Sequence, residues 1–187
     1  MFKLGMVGSE EFNEGVPFWT PKQKSMCNKV ISFIFDSASF KKRIPIPPYG
    51  NIRLSTISSI EFRKYDGDLI YVSGGCKYGG PDIWGEKEAK LRQVVPQILY
   101  PKVNSWEDKD GKIGFKSRNM QIAEAIPDPP DGILIDFEPE WRSDHGLDRK
   151  MIIKDNNETT LPFRRSGGTW TYQYAKKIGK EAYVVVI

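Results

Sequence analysis

Five short apolar runs punctuate the chain: KLGMVG at Lys3–Gly8, DLIYVS at Asp68–Ser73, QILY at Gln97–Tyr100, GILIDF at Gly132–Phe137 and AYVVVI at Ala182–Ile187. Each is nearly continuous rather than alternating. That is the pattern of strands covered on both faces, as in a parallel sheet. Between them, apolar positions recur at helical spacing. Thr20–Ser37 carries Met26, Val30, Phe33 and Ile34 behind Pro21, a first-turn proline. Asp82–Val95 carries Ile83, Ala89 and Leu91; Arg118–Ile126 carries Met120, Ile122, Ala123 and Ile126 and stops before PDPP. Thr169–Ile178 carries Trp170, Tyr174, Ala175 and Ile178 and ends at Gly179, a suitable C-terminal cap. Strand and helix alternating in this rhythm predict a doubly wound α/β fold, a mostly parallel five-stranded sheet with helices on both faces.

Two stretches break the rhythm. Phe40–Lys64 is rich in Pro, Ser and Ile, and Glu138–Phe163 is polar. The expected organisation is one domain over residues 1–187 with insertions near 40–64 and 138–163. The second is long for a connection in a compact domain, which marks it as a functional loop or a mobile insert, such as a lid over a pocket. Within it, MIIK at Met151–Lys154 followed by NNETT predicts a small hairpin.

Composition narrows the function classes. The 187 residues are 39% hydrophobic and 28% charged, enough to build a core. With 28 basic and 24 acidic residues the net charge is +4, and the densest basic run, FKKRIP at Phe40–Pro45, is short. Nothing here asks for a nucleic-acid partner, which a basic face would. The two cysteines, Cys27 and Cys76, form no CxxC or Cys/His cluster, so neither a zinc site nor a disulfide scaffold is expected, and no metal or cofactor is assigned. The opening MFKLGMVGSEEF lacks a long apolar segment and turns acidic at once, and no apolar run approaches membrane-spanning length. A cytoplasmic protein without a membrane partner is the expectation.

The candidate chemistry lies where strands end. In an open α/β sheet, ligands bind at the C-terminal ends of the strands. The first strand ends in Gly8 and Ser9. The second ends in VSGGCKYGGPD, giving Ser73, Gly74, Gly75, Gly79, Gly80 and Asp82. The last helix follows SGGT, giving Gly167, Gly168 and Thr169 beside Arg164 and Arg165. Small-residue turns on one sheet edge can line a crevice with backbone N–H groups, a usual cradle for phosphate. The bland alternative is a plain turn with Thr169 as N-cap. Neither GxGxxG after the first strand nor GxxxxGK[ST] is present. Arg118, beside Asn119 at a helix start, suits bidentate phosphate contact, against a surface salt bridge as the alternative. Asp82 and Glu86 are either pocket carboxylates or ordinary helix-start acids. Cys76 could touch a ligand. Trp106, Trp141 and Trp170 are candidates for stacking on a base, Trp170 foremost for its place beside the turn. His145, the only histidine, sits in the polar insertion without partners that would make it catalytic, and Ser166 has no nucleophile's company.

Taken in order, KLGMVGSEEF, YVSGGCKYGGPD, YPKVNSW, SRNMQIAE, DGILIDF and SGGTWTYQYAKKIGK resemble the SLOG superfamily, most of all its small YspA-type, cpYpsA-related domains. The resemblance covers most of the chain outside the two insertions. It implies a Rossmann-like sheet that binds a nucleotide or a nucleotide-derived small molecule. Residue by residue it implies ligand contacts from Gly8 and Ser9, from Gly74, Gly75 and Asp82, from Arg118 and Asn119, and from Gly167, Gly168 and Thr169. It also implies a homo-oligomer, a dimer or higher. Two positions depart from the pattern. Glu10 stands where that branch usually has Arg, and Trp170–Gln173 offers no glutamate where the lonely-guy phosphoribohydrolases of the same superfamily carry one.

Three readings follow: a nucleotide-binding module, acting as a sensor or a sequestering protein; an N-ribosyl or nucleotide hydrolase of the lonely-guy kind, with Asp82, Glu86 and Arg118 as its candidate catalytic residues; and a DNA-related role by analogy with DNA-processing protein A. The absent glutamate counts against the second, and the absent basic stripe against the third.

Overall fold

A computed structural model of the chain describes residues 1–13, 16–40, 44–45, 53–54, 59–60, 68–142, 150–155 and 158–187. Five parallel strands form the centre: β1 (Phe2–Gly8), β2 (Leu69–Ser73), β3 (Val95–Ile98), β4 (Gly132–Glu138) and β5 (Ala182–Val186). Their spatial order is β3-β2-β1-β4-β5, and Arg53–Leu54 adds a short antiparallel strand beyond β5. This is the doubly wound, Rossmann-like order, in which the order of succession reverses between β1 and β4.

Four helices cover the sheet: α1 (Pro21–Phe40), α2 (Pro81–Leu91), α3 (Phe115–Ala125) and α4 (Gly167–Lys177). Side chains alternate across each strand, so each run serves two cores. Phe2, Leu4, Met6, Ile133, Ile135 and Phe137 meet Val30, Ile31, Ile34 and Phe35 of α1 and Trp84 and Ala89 of α2. Val7, Val72 and Leu134 meet Ile122 and Ala123 of α3 and Ala175 of α4 on the other face. Burying each large aliphatic side chain contributes roughly 1.5–3 kcal/mol, which is why continuous apolar runs become central strands.

Element ends follow local chemistry. At the start of α1, Thr20 and Gln23 cap each other: Gln23 N donates to Thr20 Oγ1 at 3.2 Å and Thr20 N to Gln23 Oε1 at 3.0 Å. Helix α2 stops at Leu91, not at Val95, because Gln93 adopts a left-handed backbone with φ 57°. Val95 and Pro96 belong to β3 instead, and a proline is tolerated there because β3 is an edge strand. Helix α3 opens at Phe115 rather than at Arg118. Its N-cap, Gly114, has no capping side chain; Asp108 accepts Gly114 N at 2.8 Å and Ser117 Oγ at 2.8 Å instead. That cap is remote in sequence, which hides it from pattern reading.

The hairpin expected in the second insertion exists, Lys150–Asp155 pairing antiparallel with Glu158–Arg164. Glu138, assigned from sequence to the insertion, is the last residue of β4 and fully buried. His145 and most of the 40–64 insertion lie outside the described residues. Among those described, no helix is long and apolar enough to cross a membrane.

Candidate functional site

The switch point is built backbone against backbone. Gly8 ends β1 opposite Phe137 of β4, and the first turn of α4 packs on it. A Cβ on Gly168 would lie 2.5 Å from the Cα of Gly8 and run into the carboxyl of Asp136; a Cβ on Gly8 would run into the Phe137 carbonyl. Only glycine permits this approach. Gly167 differs: the nearest atom to an added Cβ is Asn119 Nδ2 at 3.4 Å. A Cβ there would touch Asn119 and Trp106 at ordinary contact distance, and Gly168 does the close packing.

Ser166, not Thr169, caps α4. Its hydroxyl accepts Thr169 N at 3.2 Å, and Thr169 Oγ1 accepts Ser166 N at 3.3 Å, a closed capping box. The first-turn N–H groups of Gly167 and Gly168 have no intrahelical acceptor and point out of the helix end.

Beneath this turn sit two carboxyls that sequence reasoning passed over. Period-two alternation places Leu134, Asp136 and Glu138 on the α3–α4 face of β4. Glu138 accepts hydrogen bonds from the hydroxyls of Ser9, Ser166 and Thr169, the last at 3.3 Å. Asp136 is fully buried and neither oxygen finds a donor among the described residues. Burial, reinforced by the adjacent Glu138, pushes its carboxyl well above the usual range, so it favours the neutral acid, whose O–H can donate to Glu138. An acid inside a strand covered on both faces was the signal available in GILIDFE.

Above the turn opens a cavity of about 200 Å³. Of the residues expected at a site, Gly8, Asp82, Arg118, Asn119, Gly167 and Gly168 line it, with Cys76. Ser9, Ser73, Gly74 and Thr169 do not line it; they are buried behind it. Ser9 and Thr169 donate to Glu138, and Ser73 donates to Glu86. Glu86 is therefore engaged with the strand end rather than presented to the cavity. Gly80, with φ 100°, sits where a Cβ would be 2.5 Å from the Ser9 carbonyl, so the second loop is fitted against the first. Trp106 lines the cavity, and Trp170 does not: Trp170 meets Trp106 edge-on at 5.6 Å and stacks on Tyr174 at 5.5 Å.

Asp82 is 6% exposed, and burial raises its carboxyl to about 6, against the pull of Arg118 and of the Gly74 N–H that donates to it at 3.3 Å. Burial, then Asp82, pushes the Cys76 thiol up to about 12, so it is a poor nucleophile. Arg118 is no surface salt bridge. It lies in the fourth position of α3, 7% exposed, and its Nη1 donates to the Gly74 carbonyl. Its Nε has no hydrogen-bond partner among the described residues. Cys27 and Cys76 are free thiols, and among the described residues no cluster of three His, Cys, Asp or Glu side chains could hold a metal ion.

Chemically, the arrangement offers a guanidinium, two outward N–H groups and aromatic edges beside the carboxyls of Asp82 and Glu10. That set suits a ligand with an anionic group, polar hydroxyls and a flat ring. No family model, no curated protein and no solved structure matches this chain.

Proposed function

We propose that the protein binds a nucleotide or nucleotide-derived small molecule in the cavity above the glycine pair, as a sensor or sequestering module related to the SLOG superfamily. The observation that carries the reading is Gly167. It sits at the first position of α4, at the switch point, with its Cα open to the cavity and no packing neighbour that requires glycine. A helix N-terminus so exposed, with the buried Arg118 across the cavity, is a site for phosphate. Trp106 and Phe115 supply aromatic surface for a base. The homo-oligomer implied by the resemblance belongs to the same proposal.

A second reading rests on Asp82. A cavity carboxyl raised to about 6 is suited to act as general acid or base, as cleavage of an N-glycosidic bond would require. Glu138 and Asp136 do not add to it, being fully buried below the turn.

The test is a thermal-shift panel of AMP, ADP-ribose, NAD, cyclic dinucleotides and ribose 5-phosphate, each hit followed by chromatography. A ligand at a hundred times its Kd stabilises by about 2.7 kcal/mol. A shift with the ligand recovered intact supports the binding module. Release of base or ribose phosphate supports the hydrolase. No shift with any compound overturns both.

A further inference from the structure

The two buried acids of β4 are supplied with donors unequally. Glu138 has a donor on each oxygen: Oε2 accepts the Ser9 hydroxyl, and Oε1 accepts those of Ser166 and Thr169. Asp136, on the same face of the strand, is fully buried, and neither of its oxygens has a donor among the described residues. A carboxylate with three donors keeps its charge, and a buried one with none takes a proton. The pair therefore holds one proton, on Asp136 and directed at Glu138.

The groups around the pair leave that assignment in place. Val7 of β1 and Val184 of β5 stand opposite Asp136 in the sheet, and the first turn of α4 has no titratable side chain. From α2, Asp82 disfavours a charge on Asp136. From α1, the Cys27 thiol feels the charge of Glu138 and is itself pushed up by burial. Arg118 of α3 has its Nη1 on the Gly74 carbonyl, and Glu10 lines the cavity above.

What lies on the pair is the start of α4. A Cβ on Gly168 would run into Asp136 Oδ1, so the helix backbone rests directly on that carboxyl. On the strand side, β4 is pinned by its ladders to β1 and β5. The turn is fastened more lightly, by the hydroxyls of Ser166 and Thr169 on Glu138 and by the packing of Gly168 on Gly8. Two carboxylates side by side require water, and the turn is the cover that can move without breaking the sheet.

We propose that the shared proton is a latch on the glycine turn: the turn is closed while Asp136 holds the proton, and the proton leaves only when the turn lifts and water enters. Linkage fixes the direction. A hydrated carboxyl in the open turn titrates near the ordinary value of about 4, and the closed turn holds its proton well above that. The closed form is thus fully favoured below about pH 4 and loses ground as pH rises toward the closed-state value. Across that window the ratio of open to closed turn grows about tenfold per pH unit. Gly167 and Gly168 line the cavity, so the latch governs the shape of the site whatever the site binds.

Native-state hydrogen exchange on the full chain tests the latch. The reporters are the amides of Thr169 and Trp170, which donate to the Ser166 hydroxyl and carbonyl. Their protection, corrected for the intrinsic exchange rate, is measured at pH 5.5, 6.5 and 7.5. In the wild type it should fall about tenfold per pH unit. In Asp136→Asn, whose side-chain amide can donate to Glu138 at every pH, it should stay level. In Asp82→Asn the wild-type slope should persist, which keeps the test decisive should Asp136→Asn fail to fold. The Met6 and Leu134 amides at the centre of the sheet should show a shallower fall. Level protection in the wild type overturns the latch, and so does a slope that Asp82→Asn abolishes. A slope as steep at Met6 and Leu134 as at Thr169 assigns proton release to global unfolding and overturns it as well.

Discussion

Glu138, the last residue of β4, accepts the hydroxyl of Ser166, the residue that caps α4. Through this one carboxylate the strand end, the helix start and Ser9 of the first turn are tied together. Glu138→Ala leaves three buried hydroxyls without their acceptor and should cost about 3 kcal/mol. Ser166→Ala removes one cap and should cost about 1 kcal/mol. Urea unfolding of both variants measures the gap; equal costs would mean that Glu138 is not the common tie.

The two glycines of the turn should separate stability from binding. Gly168→Ala drives a Cβ into the backbone of Gly8 and should destabilise by at least about 1–3 kcal/mol, as overpacking does. Gly167→Ala meets Asn119 and Trp106 only at ordinary contact distance and should leave stability within about 0.5 kcal/mol of wild type, or raise it. Its methyl group intrudes on the cavity, so AMP affinity should fall. Calorimetry showing unchanged affinity in Gly167→Ala would remove the main support for the phosphate site.

Asp82 makes stability depend on pH in a defined direction. Its folded-state value, about 6, is above the ordinary 3.8, so the folded chain holds the proton more tightly than the unfolded one. The resulting stabilisation is complete below about pH 4 and is lost as pH rises through about 6. Asp82→Asn should therefore stabilise the fold at pH 8 by up to about 3 kcal/mol, since each tenfold gain in proton affinity is worth about 1.4 kcal/mol, and the gain should be absent at pH 4. Urea midpoints at both pH values check this; a gain independent of pH would point to packing rather than to charge.

The same carboxyl faces the ligand cavity. Protonating it removes a negative charge beside the expected phosphate; the phosphate titrates in the same range, so the effect is read as the wild-type AMP affinity relative to Asp82→Asn, which should be higher at pH 5.5 than at pH 7.5. A ratio that is the same at both pH values would place the origin of any dependence elsewhere.

Trp106 lines the cavity, edge-on to Trp170. AMP binding should quench tryptophan emission, and Trp106→Phe should lose most of the quench while keeping the fold. Quenching that survives in Trp106→Phe would assign the aromatic contact to another residue.

Sheet and helices were legible because a strand covered on both faces has to be apolar throughout, and because caps such as Thr20–Gln23 and Gly179 are local. The start of α3 was not, since its capping acid, Asp108, sits six residues before Gly114. Within the site, Gly8, Gly167 and Gly168 stood out because a conformationally free residue at a strand end or helix start has few purposes. Asp136 was read only as part of the apolar run, and Glu138 stayed hidden for the opposite reason. An acid at the end of an apolar run reads as the first residue of a polar loop until the neighbouring strand and helix are in place to bury it. Trp106 outranks Trp170 only in space, because α4 turns Trp170 away to stack on Tyr174.

Both margins of the sheet are blunted among the described residues. On one side, β3 carries Pro96, which lacks an N–H to offer a partner strand; on the other, Arg53–Leu54 pairs antiparallel with Val185 and Val186 at the end of β5. A strand added at either margin would therefore meet a residue without a donor on one side and an already paired end of β5 on the other.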